Sequence, residues 1–297
     1  GRFAERIYRL AVHRLTIFAN DPAVNLLPQS YQPGSPVILH APSRWETLYM
    51  REWLLVGVPE QALLHVGSTP NDFPTAELAV PPGREVPAME ALSETELTAF
   101  VDGAEQVWLL TVPEVEAQNA LFFARMEALG FVPTPYPIQH PRFRISRFAV
   151  WRFQRAPQVA APVYRFGAED ITLLAWELVG REAPAPCADL RLQSWWTSEA
   201  VPLHNYSLTA VLVDAAGAPL INRDAAPGDT LMQLWAPGQL IFDERVLPLP
   251  CDLPPGNYDL LVGLYHVEQG AFTDLSAHDA AGHPVGNRAY LTTLVVP

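Results

Sequence analysis

Leu247-Pro-Leu-Pro-Cys-Asp-Leu-Pro-Pro-Gly-Asn-Tyr-Asp-Leu-Leu-Val-Gly-Leu-Tyr265 decides how the second half of this chain is read. Pro254-Pro-Gly-Asn257 is turn chemistry, because proline presets φ and glycine accepts a left-handed backbone. The alternation that follows, from Asn257 to His266, has the period of a strand. Working outward, Ile171 to Leu178, Leu190 to Trp196, Tyr206 to Asp214, Leu240 to Pro248 and Arg288 to Val296 read the same way. Turn signals separate them at Ala216-Gly217, Pro227-Gly228 and Gly282-His-Pro284. Short strands with regular turns and few helical stretches predict an immunoglobulin-like β-sandwich over 163–297.

The first half has a different rhythm. Pro36 to Ala41, Ala62 to Val66 and Gln106 to Val112 read as short buried strands. Arg44 to Leu55, Ser93 to Val101 and Glu114 to Leu129 read as helices between them. Ser93-Glu94-Thr95-Glu96 has capping-box spacing, and Gly130 stands where a helix stops. Phe131-Val132 and Ser146 to Phe153 close the series. Strands alternating with helices predict a Rossmann-like, three-layer α/β domain over 21–154. Residues 155–162, spaced by prolines and without periodicity, are the expected linker. Residues 1–20 read as an amphipathic helix ended by Asp21-Pro22. Its Arg2, Arg6 and Arg9 would face lipid headgroups in a membrane-proximal reading, or water in an ordinary surface helix.

Composition excludes several classes of function. All 19 basic residues are arginine. Without lysine there is no Schiff base and no phosphate-loop lysine. The net charge of −13 is uneven: residues 1–160 carry 13 Arg against 16 acids, and residues 161–297 carry 6 against 16. So acidic a second half repels phosphate backbones, and no nucleic-acid partner is expected. No stretch reaches the roughly 18 apolar residues of a membrane span. The chain opens on Gly1 rather than Met, which reads as a processed piece whose upstream part would hold a membrane or targeting segment.

Candidate chemistry is sparse. The turn after the first strand holds His40, Ser43 and Arg44, and the turn after the second holds His65, Ser68 and Asp72. These could converge at the carboxyl ends of parallel strands, where α/β sheets bind ligands. That turn has no glycine-rich phosphate loop, and no Gly-x-Ser-x-Gly elbow exposes a nucleophile. His40 and Arg44 are therefore candidates for binding, no catalytic residue is assigned, and no cofactor is expected. His278, Asp279, His283 and Asp274 lie in one polar region without metal-ligand spacing, so no metal is expected. Trp195 and Trp196 are adjacent on one strand and point to opposite faces. One should be core, and the other is a candidate platform for a sugar ring. Cys187 precedes one strand and Cys251 follows another. If these strands are antiparallel neighbours the cysteines can bridge, which implies an oxidising compartment; otherwise they are two separate thiols.

The stretch Leu247–Tyr265 resembles a recurrent segment in the C-terminal regions of bacterial family 39, dolichyl-phosphate-mannose-transferase-like membrane glycosyltransferases. Leu192-Gln-Ser-Trp-Trp196, Ser207 to Asp214 and Trp235-Ala-Pro-Gly238 fit the same sandwich, and Gln106 to Leu110 with Gly130-Phe131 are similar to the region after the last membrane helix. The resemblance implies an extracytoplasmic, membrane-associated tail, anchored by a segment outside this chain. Catalysis in that family lies in a membrane part, so none of its catalytic residues is carried over. The expected function is non-catalytic binding of a glycan, a lipid-linked sugar acceptor or a membrane protein partner. An accessory or assembly subunit is the alternative, and a soluble hydrolase using the crevice near His40 is the outsider.

Overall fold

The computed structural model describes residues 31, 33–43, 58–69, 94–111, 116–136, 149–157, 161–180 and 184–297. The chain divides into two compact units, Gly1–Arg155 and Ala156–Pro297. The expected helix 1–20, with Arg2, Arg6 and Arg9, lies outside the described residues, as does the expected helix 44–55 with Arg44.

The first unit is built on β1 (Val37–Ser43), β2 (Leu63–Thr69), α1 (Glu94–Val101), β3 (Gln106–Thr111), α2 (Glu116–Ala128), β4 (Phe131–Pro135) and β5 (Ala149–Arg155). The sheet order is β2-β1-β3-β5-β4. β1 lies parallel to β2 and to β3, and β5 lies antiparallel to β3 and β4. Every residue of β3 is buried, as expected of a strand covered on both faces. Ile38, Val107, Leu109 and Phe153 share one core with Leu97 and Val101 of α1 and Phe122 and Met126 of α2. α2 stops because Gly130 takes a φ of 83°, which costs glycine nothing. Arg155 donates to the Ala104 and Val101 carbonyls at the end of α1 and stacks its guanidinium 4.3 Å over the Phe131 ring. The Rossmann-like three-layer domain is not supported. The sheet is mixed, and the two described helices share one core on one face. A strand that returns as a hairpin has the same local pattern as one that arrives after a crossover, so periodicity could not separate them.

The second unit is a β-sandwich. Its strands are β6 (Tyr164–Phe166), β7 (Ile171–Val179), β8 (Asp189–Thr197), β9 (Ser207–Val213), β10 (Pro219–Ala225), β11 (Ile241–Pro248), β12 (Gly256–Glu268), β13 (Ala271–Asp274), β14 (Ala277–Asp279), β15 (Pro284–Gly286) and β16 (Ala289–Val296). One sheet runs β11-β8-β7-β6-β14-β15. The other runs β10-β9-β12, with β16 and β13 paired to successive stretches of β12. All the pairs are antiparallel. The core takes alternate residues, such as Leu190, Leu192 and Trp196 of β8 and Leu260, Val262 and Leu264 of β12. At the corner into β12, the Tyr258 hydroxyl donates to the Pro254 carbonyl at 2.7 Å.

β8 and β11 pair from Pro248↔Asp189 to Ile241↔Trp196. The start of β8 therefore lies beside the end of β11, and Cys187 and Cys251 form a disulfide with Cα atoms 4.3 Å apart. The bridge closes a loop across a sequence separation of 64 residues. In the chain-entropy account that contributes about 4 kcal/mol.

Two inward positions of β11 carry charge. Asp243 and Arg245 are both buried and form a two-bond fork, Nη2 to Oδ1 at 2.6 Å and Nε to Oδ2 at 2.9 Å. Asp243 also accepts the Gly228 N–H at 2.8 Å, and Arg245 donates to the Ala226 and Ala225 carbonyls at 2.8 and 3.3 Å. Position 228 needs glycine: its φ is 64°, and an added Cβ would lie 2.7 Å from Ile241 Cγ2. Asp243→Ala strands a buried guanidinium and should cost about 3–5 kcal/mol in urea unfolding. The double change Asp243→Leu with Arg245→Met should recover most of that loss. Burial pushes the Asp243 carboxyl up to about 6, against the opposing pull of Arg245 and the Gly228 N–H and with a small push from Asp229. A folded value above the unfolded one gives a stabilising contribution that is full below about 3.9 and is lost as pH rises through about 6. Wild type should therefore gain stability relative to Asp243→Asn as pH falls from about 7 to about 5, read from paired urea midpoints.

Candidate functional site

The β8–β9 connection crosses one end of the sandwich and is pinned there by short-range bonds. Gly238 N–H donates to the Ser198 carbonyl at 2.8 Å. Asn205 and Gln233 bond reciprocally, Nδ2 to Oε1 at 2.9 Å and Gln233 N–H to Asn205 Oδ1 at 3.1 Å. Gln233 Nε2 also donates to the Leu203 carbonyl at 2.7 Å. The turn between β6 and β7 adds Glu169, whose carboxylate accepts the Tyr206 hydroxyl at 2.5 Å and the Leu203 N–H at 2.9 Å.

These bonds assemble a polar aromatic group. His204 stacks on His266 with ring centroids 4.1 Å apart and planes 6° from parallel. Tyr206 stands edge-on to both, at 5.7 and 5.4 Å. His266 sits two residues beyond Leu264 on the inward side of β12, so it closes the end of the core. Its Nδ1 is buried without a hydrogen-bond partner. Burial raises the Tyr206 phenol, and the hydrogen bond to the negative Glu169 raises it further. Tyr206 is thus a fixed neutral donor. Leu203, Leu231 and Leu234 are exposed on the segments that carry this group.

The sequence candidates fare differently. Trp196 is 0% exposed, in the sandwich core, with its indole N–H donating to Ser194 Oγ at 2.8 Å. Trp195 lies on the opposite face beside Phe242 at 5.3 Å and is only 4% exposed. The expected sugar platform on one of them is corrected, because neither ring offers a face to solvent. His40 is fully buried in β1, its Nδ1 2.9 Å from Asn119 Oδ1, which also accepts the Thr111 hydroxyl at 3.1 Å. It knits β1, β3 and α2 together and does not line an open crevice. His65 pairs with Leu39 across the sheet, out of step with His40. Arg44 and Asp72 lie outside the described residues. Among the described residues, no group of three His, Cys, Asp or Glu side chains is placed to hold a metal. Asp279 instead caps its own turn by accepting the Ala281 and His283 N–H groups, and the latter bond is the main cause of its lowered carboxyl pKa.

Sequence reasoning does not find the stacked pair, because His204 lies in the β8–β9 connection and His266 near the end of β12, and no local motif joins them.

No family model matches the chain, and no curated protein matches it. Among solved structures, the C-terminal domain of Wzt is similar at 15% identity over 48% of this chain and 76% of that one, with a TM-score of 0.30. A Niemann-Pick type C2 protein from Japanese carpenter ant is similar at 7% identity over 48% and 98%, with a TM-score of 0.25. A Bacteroides uniformis β-glucuronidase is similar at 14% identity over 48% and 17%, with a TM-score of 0.25. At these values none of them bears on what this chain does.

If Glu169 keeps the Tyr206 phenol from ionising, Glu169→Gln should lower the alkaline midpoint of one tyrosine. Tyrosinate absorbance, with Tyr206→Phe to assign the transition, checks this. An unchanged midpoint would show that burial alone sets it.

Proposed function

We propose that this chain is a non-catalytic extracytoplasmic binding region, related to the tails of family 39 membrane glycosyltransferases, that holds a glycan or lipid-linked sugar acceptor at the end of its sandwich. The observation that carries the reading is the Glu169–Tyr206–His204–His266 group. It combines ring faces, a phenol oxygen held in place by its bond to Glu169, and a buried imidazole nitrogen without a hydrogen-bond partner. Rings beside positioned polar groups suit a ligand with apolar C–H faces and many hydroxyls.

The sandwich is best read as immunoglobulin-like. The pairing of β8 with β11 and of β9 with β12 follows that order, and the Tyr258–Pro254 bond occupies its tyrosine corner. The disulfide supports an oxidising compartment. No helix among the described residues is long and apolar enough to cross a membrane, so membrane association would come from elsewhere. An accessory or assembly role is the second reading, favoured by the exposed Leu203, Leu231 and Leu234 beside the polar group.

On a glycan array the protein should bind a restricted set of glycans, with His204→Ala and His266→Ala each losing tenfold or more at a temperature where both variants are folded by circular dichroism. Absence of binding, with co-purification of membrane subunits from native cells, would replace this reading with the accessory one.

A further inference from the structure

We propose that an open cleft in the first unit, at the amino ends of its parallel strands, binds a small non-anionic ligand that is rich in O–H or N–H donors and has one apolar face. The cleft has a volume of about 440 Å³, within the range of small-molecule sites of roughly 300–1,000 Å³. It lies wholly among residues of the first unit, so its ligand does not depend on the sandwich-end site.

The chemistry of the lining selects the ligand. Pro36 precedes β1 and is buried, and Pro59 and Phe100 supply apolar surface. The polar groups are the Tyr31 phenol, the Gln61 amide and the Asp102 carboxylate. The Tyr31 hydroxyl is buried and has no hydrogen-bond partner. A buried hydroxyl left unbonded is unfavourable, and a hydrogen bond from a ligand in the cleft would relieve it. Among the described residues no cationic side chain lines the cleft, and Asp102 repels carboxylates and phosphates, which disfavours anions. What remains fits a ring whose donors reach Asp102 and Gln61 while its apolar face lies on Phe100. The wall is held in place: Arg155 ties the Val101 and Ala104 carbonyls on either side of Asp102. Such preorganisation lowers the ordering cost of binding. Hydroxyls of a neutral sugar or the ammonium of an amine would both satisfy this donor requirement.

Methyl β-glucopyranoside, glucosamine and glucuronate, titrated into the full chain and followed by saturation transfer and melting temperature, test the proposal. One or both of the first two should bind and raise the melting temperature, and which of them does so tells hydroxyl from ammonium recognition. Glucuronate should not bind. Asp102→Asn and Tyr31→Phe should each weaken binding tenfold or more. Tyr31→Phe should also raise the melting temperature of the free chain while abolishing the ligand-induced rise. His204→Ala and His266→Ala should leave this binding unchanged. Failure of all three probes, equal binding of glucuronate, unchanged affinity in Tyr31→Phe, or loss of binding in the histidine variants would each overturn it.

Discussion

The buried fork between Asp243 and Arg245 is the interaction on which the organised end of the sandwich depends. β11 turns both charges inward because its residues alternate. Once inside, each must be bonded, since an unpaired charge there costs several kcal/mol. Their remaining bonds go to the backbone of Ala225, Ala226 and Gly228, and so fix the connection between β10 and β11. That connection carries Gln233, which bonds Asn205 and Leu203 on either side of His204. A polar pair in the core thereby sets the frame in which the His204–His266 stack forms.

The two ends of the sandwich are secured by different means. At one, the Cys187–Cys251 bridge restrains the unfolded chain and ties β8 to β11. At the other, the bonds are noncovalent and concentrated on side chains, through Glu169, Gln233 and Tyr206. A ligand surface is better served by the second kind, which leaves ring faces and a buried nitrogen available. The first unit works differently: its sheet is covered at His40 and Trp108, and its open cleft lies at the opposite strand ends from His40.

Legibility followed the range of the physical signal. The sandwich strands were readable because alternation is local, and the turns because Pro254-Pro-Gly-Asn257 is local chemistry. The antiparallel relation of the cysteine-bearing strands was also within reach, since strand-end positions constrain which cysteines can meet. The candidate sites were not. His40 sits after an apolar run where ligands are expected, yet Asn119 and Thr111 absorb it into the fold. Trp195 alternates outward but is buried against Phe242. Tyr31 lay before the first strand, with nothing around it to mark a cleft.

The sequence by itself determined the kinds of element among the described residues, their order, the sandwich core, and a chemistry without lysine. Backbone propensity, side-chain period and net charge are properties of short stretches or of simple sums. Only the tertiary structure decided that β5 inserts antiparallel between β3 and β4, that Asp243 faces Arg245 inside a core, and that His204 meets His266. Those outcomes depend on which strands become neighbours, and that choice is made by burial and hydrogen-bond satisfaction over the whole fold.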